Sequence, residues 1–354
     1  MKPIRTSWIC AGIACLSLAA FGCGDDGGGA TADAASNVDS AATGPDAQAN
    51  DAAPADASSR CLAPSLPGTG NHQYVGQQIV IPTESGQSNA LALDIDGDGS
   101  TENGLGQVVE VFSGSADLGI QQSVDSQVAG GQLLYIANVE SSDLVNGAAT
   151  LRMFLGNDCD SPRDPSDNFS GTELFEIRGD SPTDSSVTGT ITAGAVDLGP
   201  GQMTVLVPIP DVGNISLPLF GARLVGDITD TGITNAILGG GVKDEDVQSI
   251  LVPALYTTIS TSVATNCTLS GKTCNCDPAS SAGSLISLFD SDGNCEISMD
   301  EVTNNTLLVA LLAPDIDLFD SNNGNAFDPM QDGIADSLSL GVGFTMVNGQ
   351  FELP

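Results

Sequence analysis

The sequence predicts an α+β fold, with an antiparallel, β-rich body followed near the C terminus by a helical unit. Three observations carry that expectation. From about Gln77 onward, apolar and polar residues alternate in short runs broken by Gly and Asp, the pattern of half-buried strands joined by turns. Near Asp244 the period changes, and Val247, Ile250, Leu251, Leu255 and Ile259 recur at helical spacing. Residues 290–301 then form an acidic run between two apolar segments that can be helical.

Taken in chain order, residues 1–23 read as an export signal. Lys2 and Arg5 supply a positive start, and residues 8–22 form an apolar run too short for a convincing membrane span. Ala20-Phe21-Gly22-Cys23 resembles a bacterial lipobox, although Ala20 stands where Leu is usual. The resemblance implies that Cys23 becomes the lipidated first residue and anchors the chain to the membrane of the cell envelope, at the outer membrane or the cell surface. Ordinary signal-peptide cleavage, giving a periplasmic or secreted protein, is the alternative. Residues 24–60 are almost wholly Ala, Asp, Gly, Ser, Thr and Pro, with too few large apolar groups to offset the entropy of ordering them. They are expected to form a disordered tether, followed by a β-rich domain over 61–242 and a helical region with a final strand over 243–354.

Charge and composition remove several classes of function. The chain of 354 residues carries 45 acidic against 9 basic side chains, a formal charge of −36, which repels nucleic acid and attracts cations. The only tryptophan, Trp8, lies in the leader, so the mature chain lacks the commonest stacking platform for sugars and bases. Cys61, Cys159, Cys267, Cys274, Cys276 and Cys295 follow Cys23. In an exported chain an even set suggests disulfides. Four of them crowd between 267 and 295, so they are expected to pair locally and leave Cys61 with Cys159. A four-cysteine zinc site competes with that reading but lacks the usual CxxC pairs.

Strands are expected at 78–82, 133–139, 150–155, 174–178, 186–196 and 203–208, and the pattern continues over 215–228 and 233–238. Short helices are expected at 106–112 and 118–128. Asp244-Glu245-Asp246 favours a helix start, and Pro253 is expected to kink that helix. A second helix-rich stretch covers 285–312, and residues 337–347 alternate like a last strand.

The acidic run at 290–301 resembles the EF-hand loop, which draws oxygen ligands from positions 1, 3 and 5, a carbonyl at 7, often a water at 9, and both carboxylate oxygens of Glu at 12. Asp290, Asp292, Asn294, Glu296 through its carbonyl, Ser298 and Glu301 fall in those places, and hard oxygen ligands at this spacing imply Ca²⁺. Residues 284–289 supply an incoming helix, and Val302 with 307–312 an outgoing one. Cys295 stands at position 6, where the family has Gly for a sharp turn; a disulfide from it is one way to hold that turn. An echo follows with one residue inserted, using Asp320, Asn322, Asn325 and Asp332, and an Asn/Gly-rich turn is the competing reading. Upstream, Asp94-Ile95-Asp96-Gly97-Asp98-Gly99-Ser100 has acids at 1, 3 and 5 but Leu105 at position 12. It resembles thrombospondin-type or dockerin-like calcium loops, with Asp94, Asp96, Asp98 and Ser100 as candidate ligands. Acids near Asp158, Asp160 and Asp164 read as solvated turns.

Enzyme chemistry has little to stand on. The single histidine, His72, falls in a loop-like stretch, and no GxSxG, HExxH, Walker or dinucleotide motif occurs. The whole layout, with leader, acidic tether and calcium motifs, looks like that of exported bacterial lipoproteins. The expectation is therefore a non-catalytic, calcium-binding envelope lipoprotein whose acidic loops are stabilised by Ca²⁺, with a possible protein partner at the cell surface and no nucleic acid partner. A secreted hydrolase with structural calcium and a calcium-responsive switch are the alternatives.

Overall fold

A computed structural model describes residues 70–116, 119–160 and 163–354. The export signal, Cys23, the tether and Cys61 lie outside the described residues. Among the described residues fourteen strands occur: β1 (Asn71–Val80), β2 (Leu134–Glu140), β3 (Asn146–Asp158), β4 (Leu174–Ile177), β5 (Ser186–Thr192), β6 (Ala195–Ile209), β7 (Gly213–Thr229), β8 (Gly232–Lys243), β9 (Cys267–Ser270), β10 (Thr273–Cys276), β11 (Phe319–Asp320), β12 (Ala326–Phe327), β13 (Ser337–Asn348) and β14 (Gln350–Phe351).

Eight of these close into an antiparallel barrel, in the order β3-β2-β1-β13-β8-β7-β6-β5 and back to β3. Closure removes the free sheet edges that an open antiparallel sheet would expose. Residues opposite one another around the ring belong to one apolar core: Leu155 and Tyr135, Ala137 and Tyr74, Ile79 and Phe344, Val342 and Leu238, Leu224 and Leu198, Val196 and Ile191, Val187 and Leu151. The period-2 alternation read from the sequence is the lining of this barrel. Short β4 runs antiparallel to β3, and β14 runs parallel to β4, so this pair covers part of the outer wall. A second apolar cluster of Val75, Leu134, Ile136, Phe154, Phe175 and Phe351 lies there.

The β-rich antiparallel body is thus present, and its strand limits differ from expectation where both faces are covered. β1 begins at Asn71, well before 78, and His72 is in a strand rather than a loop. Its polar residues hide it: Gln73 is buried and exchanges two hydrogen bonds with the Phe351 backbone, while Val75 faces the outer cluster, so simple alternation fails.

Helices Gly104–Ala116 and Ile120–Ala129 lie near the expected places, and a helix spans Asp244–Asn266. Within that helix Pro253 stands where a π-helical stretch, Val247–Leu251, passes into an α-helical one, Val252–Asn266. The outgoing helix at 302–312 is broken. Met299–Thr303 ends at Asn304, and Asn305 caps Thr306–Leu311 by accepting from Leu307 N and Leu308 N. The excursion from Asp244 to Asp336 separates β8 from β13, its neighbour in the barrel wall. Phe289 at the end of helix Ala282–Phe289 stacks on Phe112, 6.0 Å between rings, and joins the excursion to the main core.

Candidate metal centre

In the loop at 290–301, side chains close the turn on itself. Asp290 Oδ1 accepts from Gly293 N (2.7 Å) and Asn294 N (3.1 Å), and its Oδ2 accepts from Cys295 N (3.0 Å). Asp292 Oδ1 accepts from Asn294 N, and Asn294 Oδ1 accepts from Glu296 N. Glu301 reaches back across the loop: Oε1 accepts from Ser291 N (2.8 Å) and Ser291 Oγ, and Oε2 from Ser298 N (2.9 Å) and Ser298 Oγ. Ser298 Oγ accepts from Glu301 N, which completes a capping box at the start of helix Met299–Thr303. Carboxylate oxygens of Asp290, Asp292 and Glu301 lie within 4.8 Å of one another. Burial opposes ionisation of Glu301, but the donors from Ser298 and Ser291 outweigh it and hold this carboxyl at about 2. The side chain of Glu296 is exposed, which suits a position expected to act through its carbonyl.

Cys295 has φ 68°, a left-handed conformation that favours Gly at this sixth position. A disulfide to Cys274 holds it there, and Cys267 pairs with Cys276. The four clustered cysteines are therefore cystines, which leaves no thiolates for zinc. Cys159 is also disulfide-bonded.

Upstream, the loop after Leu93 is closed by backbone hydrogen bonds between Leu93 and Glu102. Within it, Asp94 Oδ1 accepts from Gly97 N (2.8 Å), Asp96 Oδ1 from Asp98 N (3.2 Å) and Asp98 Oδ1 from Ser100 N (2.6 Å). Gly97 and Gly99 take φ of 87° and 90°. The three aspartates bring oxygens within 4.8 Å of one another. Ser100 is exposed, and it meets the aspartates through its backbone N–H, which donates to Asp98.

Long-range contacts fix this loop to the barrel wall. Arg223 on β7 donates to the Asp94 carbonyl at 2.7 Å. Asn103, almost completely buried, accepts from Gly341 N and Gly106 N and donates to the Gly341, Ser88 and Leu91 carbonyls. A Cβ at Gly341 would collide with the Leu91 carbonyl oxygen, so a glycine permits this approach. Beneath the loop, Leu93 and Ile95 pack with Ile316, Leu318 and Phe319.

Two further carboxylates lie near enough to feel the charge of these aspartates, and motif spacing alone identified neither. Glu102, at position 9 of the loop, has a buried Oε2 that finds no donor among the described residues. Burial first, and then Asp98, Asp96, Asp315 and Asp94, push this carboxyl up to about 7. Asp317 is only 7 % exposed and donates its N–H to Asp96 Oδ2 at 3.4 Å. Its Oδ2 accepts from Gly333 N, whereas Oδ1 is buried without a donor among the described residues. Burial and the nearby Asp332, Asp336 and Asp96 raise it. The one usable sequence signal was the acid at position 9; Asp317 lies 221 residues from Asp96 and is joined only by the fold.

The echo at 320–332 repeats one detail of the 290–301 loop. Asp332 Oδ2 accepts from both Ser321 N and Ser321 Oγ, as Glu301 does from Ser291. However, Asp332 lines a cleft with Lys243, whose ammonium sits 4.3 Å from the centre of the Phe319 ring and supplies a resident positive charge. Elsewhere, His72 Nδ1 lies 3.9 Å from the exposed Asp230.

Comparison of the chain with protein-family models, curated proteins and solved structures gave no match in any of the three.

Proposed function

We propose that this chain is a non-catalytic calcium-binding lipoprotein of the cell envelope, in which Ca²⁺ stiffens acidic loops that decorate the barrel for contact with another surface. The observation that carries it is the pair of orphaned buried oxygens, Glu102 Oε2 and Asp317 Oδ1, beside Asp94, Asp96 and Asp98. Leaving such oxygens without a donor costs about 1–3 kcal/mol each, more for charged groups, whereas a hard divalent cation supplies the missing partner. Residues 290–301 form the second site, an EF-hand-like loop in which Asp290, Asp292, Asn294, the Glu296 carbonyl, Ser298 and Glu301 surround the ion. Short helices on either side support that reading, with Cys274–Cys295 taking over the turn that Gly provides elsewhere. Envelope attachment rests on Cys23 and its lipobox-like setting.

Calorimetric titration of CaCl₂ into the full chain tests the ion, beside Asp96→Asn and Glu301→Gln. Each variant is expected to lose one equivalent of bound calcium. No heat at millimolar calcium would reduce both loops to acidic turns. Incorporation of labelled fatty acid, lost on Cys23→Ser, tests the anchor.

A further inference from the structure

Of the three acids read as solvated turns, Asp164 is one, exposed and accepting from Ser166, but Asp158 at the end of β3 is buried, contrary to the sequence reading. Asp158 is 7 % exposed. Its Oδ1 accepts from Asp160 N at 2.8 Å, while Oδ2 is buried with no donor among the described residues. The pairing of β3 with β4, Asp158 opposite Phe175, brings Glu173 alongside, and Cys159 N donates to the Leu174 carbonyl. As a result, oxygens of Asp158, Asp160 and Glu173 lie within 4.8 Å of one another. Asp167, from the connecting loop, adds a buried Oδ1 that also lacks a donor among the described residues. Burial, and then Asp167, Asp160 and Asp158, push the Glu173 carboxyl up, although its bond from Leu174 N opposes the rise. Burial followed by Asp158, Asp167 and Asp164 does the same to Asp160.

Three carboxylates drawn together, with the Asp167 charge nearby and two buried oxygens unsatisfied, form an arrangement that self-repulsion opposes unless a cation sits among them. Calcium binds oxygens at about 2.3–2.6 Å in a flexible shell, so ligand oxygens up to about 5 Å apart suit it. Magnesium demands a tighter octahedron and keeps its waters. We propose that Asp158, Asp160, Asp167 and Glu173 form a further calcium site, separate from both acidic loops, which ties the end of β3 to the start of β4. The ion crosslinks a barrel strand to the β4–β14 pair on the outer wall, next to the disulfide-bonded Cys159.

The test uses the full chain carrying Asp96→Asn and Glu301→Gln, so that both loops are disabled, with and without Asp158→Asn. Calorimetry is expected to find one remaining calcium equivalent in the background and an affinity at least about tenfold weaker once Asp158 is changed. Asp158→Asn keeps the Oδ1 that accepts from Asp160 N and removes a charge. In EGTA its melting temperature is therefore expected to match or exceed that of the background, which a purely structural role would not produce. If that variant instead folds poorly, Glu173→Gln decides by the same titration. A background that binds no calcium, or a calcium equivalent that survives both substitutions, would overturn this site. Either result leaves the two loops to be judged by the unmutated chain.

Discussion

Glu102 and Glu301 are the same side chain at two acidic loops, yet their surroundings drive them in opposite directions. Glu301 is held at about 2 by donors from Ser291 and Ser298, whereas burial and four aspartates push Glu102 to about 7. The loop at 290–301 is organised locally, by residues within eleven positions of one another and by the Cys274–Cys295 disulfide. Residues 94–102 also make local turns, but they are anchored in addition by Arg223 and Asp317, and through Asn103 by Gly341, all reached only through the barrel. One loop supplies its carboxylates with donors of its own, and the other leaves oxygens without a donor among the described residues, a place that an ion, a proton or a water can fill. Calcium should accordingly contribute more to the folded state at the barrel wall than at the helical excursion.

The largest expected effect comes from removing calcium. A ligand held a thousandfold above its Kd stabilises the folded chain by about 4 kcal/mol per site. Scanning calorimetry in CaCl₂ and in EGTA should show that loss, and Asp96→Asn or Asp317→Asn should remove a greater share of it than Glu301→Gln. Equal shares would break the contrast between the loops.

Next in size is the disulfide. Cys274 and Cys295 are separated by 21 residues, and opening a loop of that length costs roughly 3 kcal/mol in chain entropy. Cys295→Ala should lower the stability of the helical excursion by about that amount and weaken calcium binding at 290–301, leaving binding at 94–102 unchanged. Cys295→Gly sharpens the point, because it also loses the bridge but restores the residue that suits φ 68°. Its calcium affinity should recover while its stability does not. Calorimetric affinity measured beside urea unfolding separates the two.

The same contrast explains what could be read in the sequence. Asp94, Asp96, Asp98, Asp290, Asp292 and Glu301 stand at fixed spacing within a dozen residues, and local chain geometry brings each trio together. The alternating strands were visible for the same reason, since period 2 is a local property. Barrel closure was not, because it depends on β3 meeting β5 and on β13 entering between β1 and β8. Asp317 joined the first loop by way of that closure. Glu173 joined Asp158 by strand pairing, and its neighbours read as loop acids because nothing in their spacing marked the burial of Asp158. The broken outgoing helix was hidden by Leu307 to Leu312, which continue an apolar pattern across a break set by the side chain of Asn305.

The smallest effect is the most direct probe of the two glutamates, and it lies in the pH dependence of the calcium-free chain. Both groups start from an ordinary value of 4.5. Glu102, raised to about 7, binds its proton more tightly when folded, so its contribution is fully present below about 4.5 and is lost as pH rises through 7. Glu301, depressed to about 2, behaves in the reverse sense: its contribution is present above about 4.5 and is lost as pH falls towards 2. In EGTA at pH 8, Glu102→Gln should therefore raise stability and Glu301→Gln should lower it, each by on the order of 1 kcal/mol once solvent screening is allowed for. Urea unfolding between pH 2 and 8 measures both, and shifts of the same sign would refute the opposition. With calcium present the Glu102 dependence should flatten, because the ion takes the place of the proton. Titrations at pH 6.5 in buffers of different ionisation enthalpy should then detect proton release from the wild-type chain and much less from Glu102→Gln.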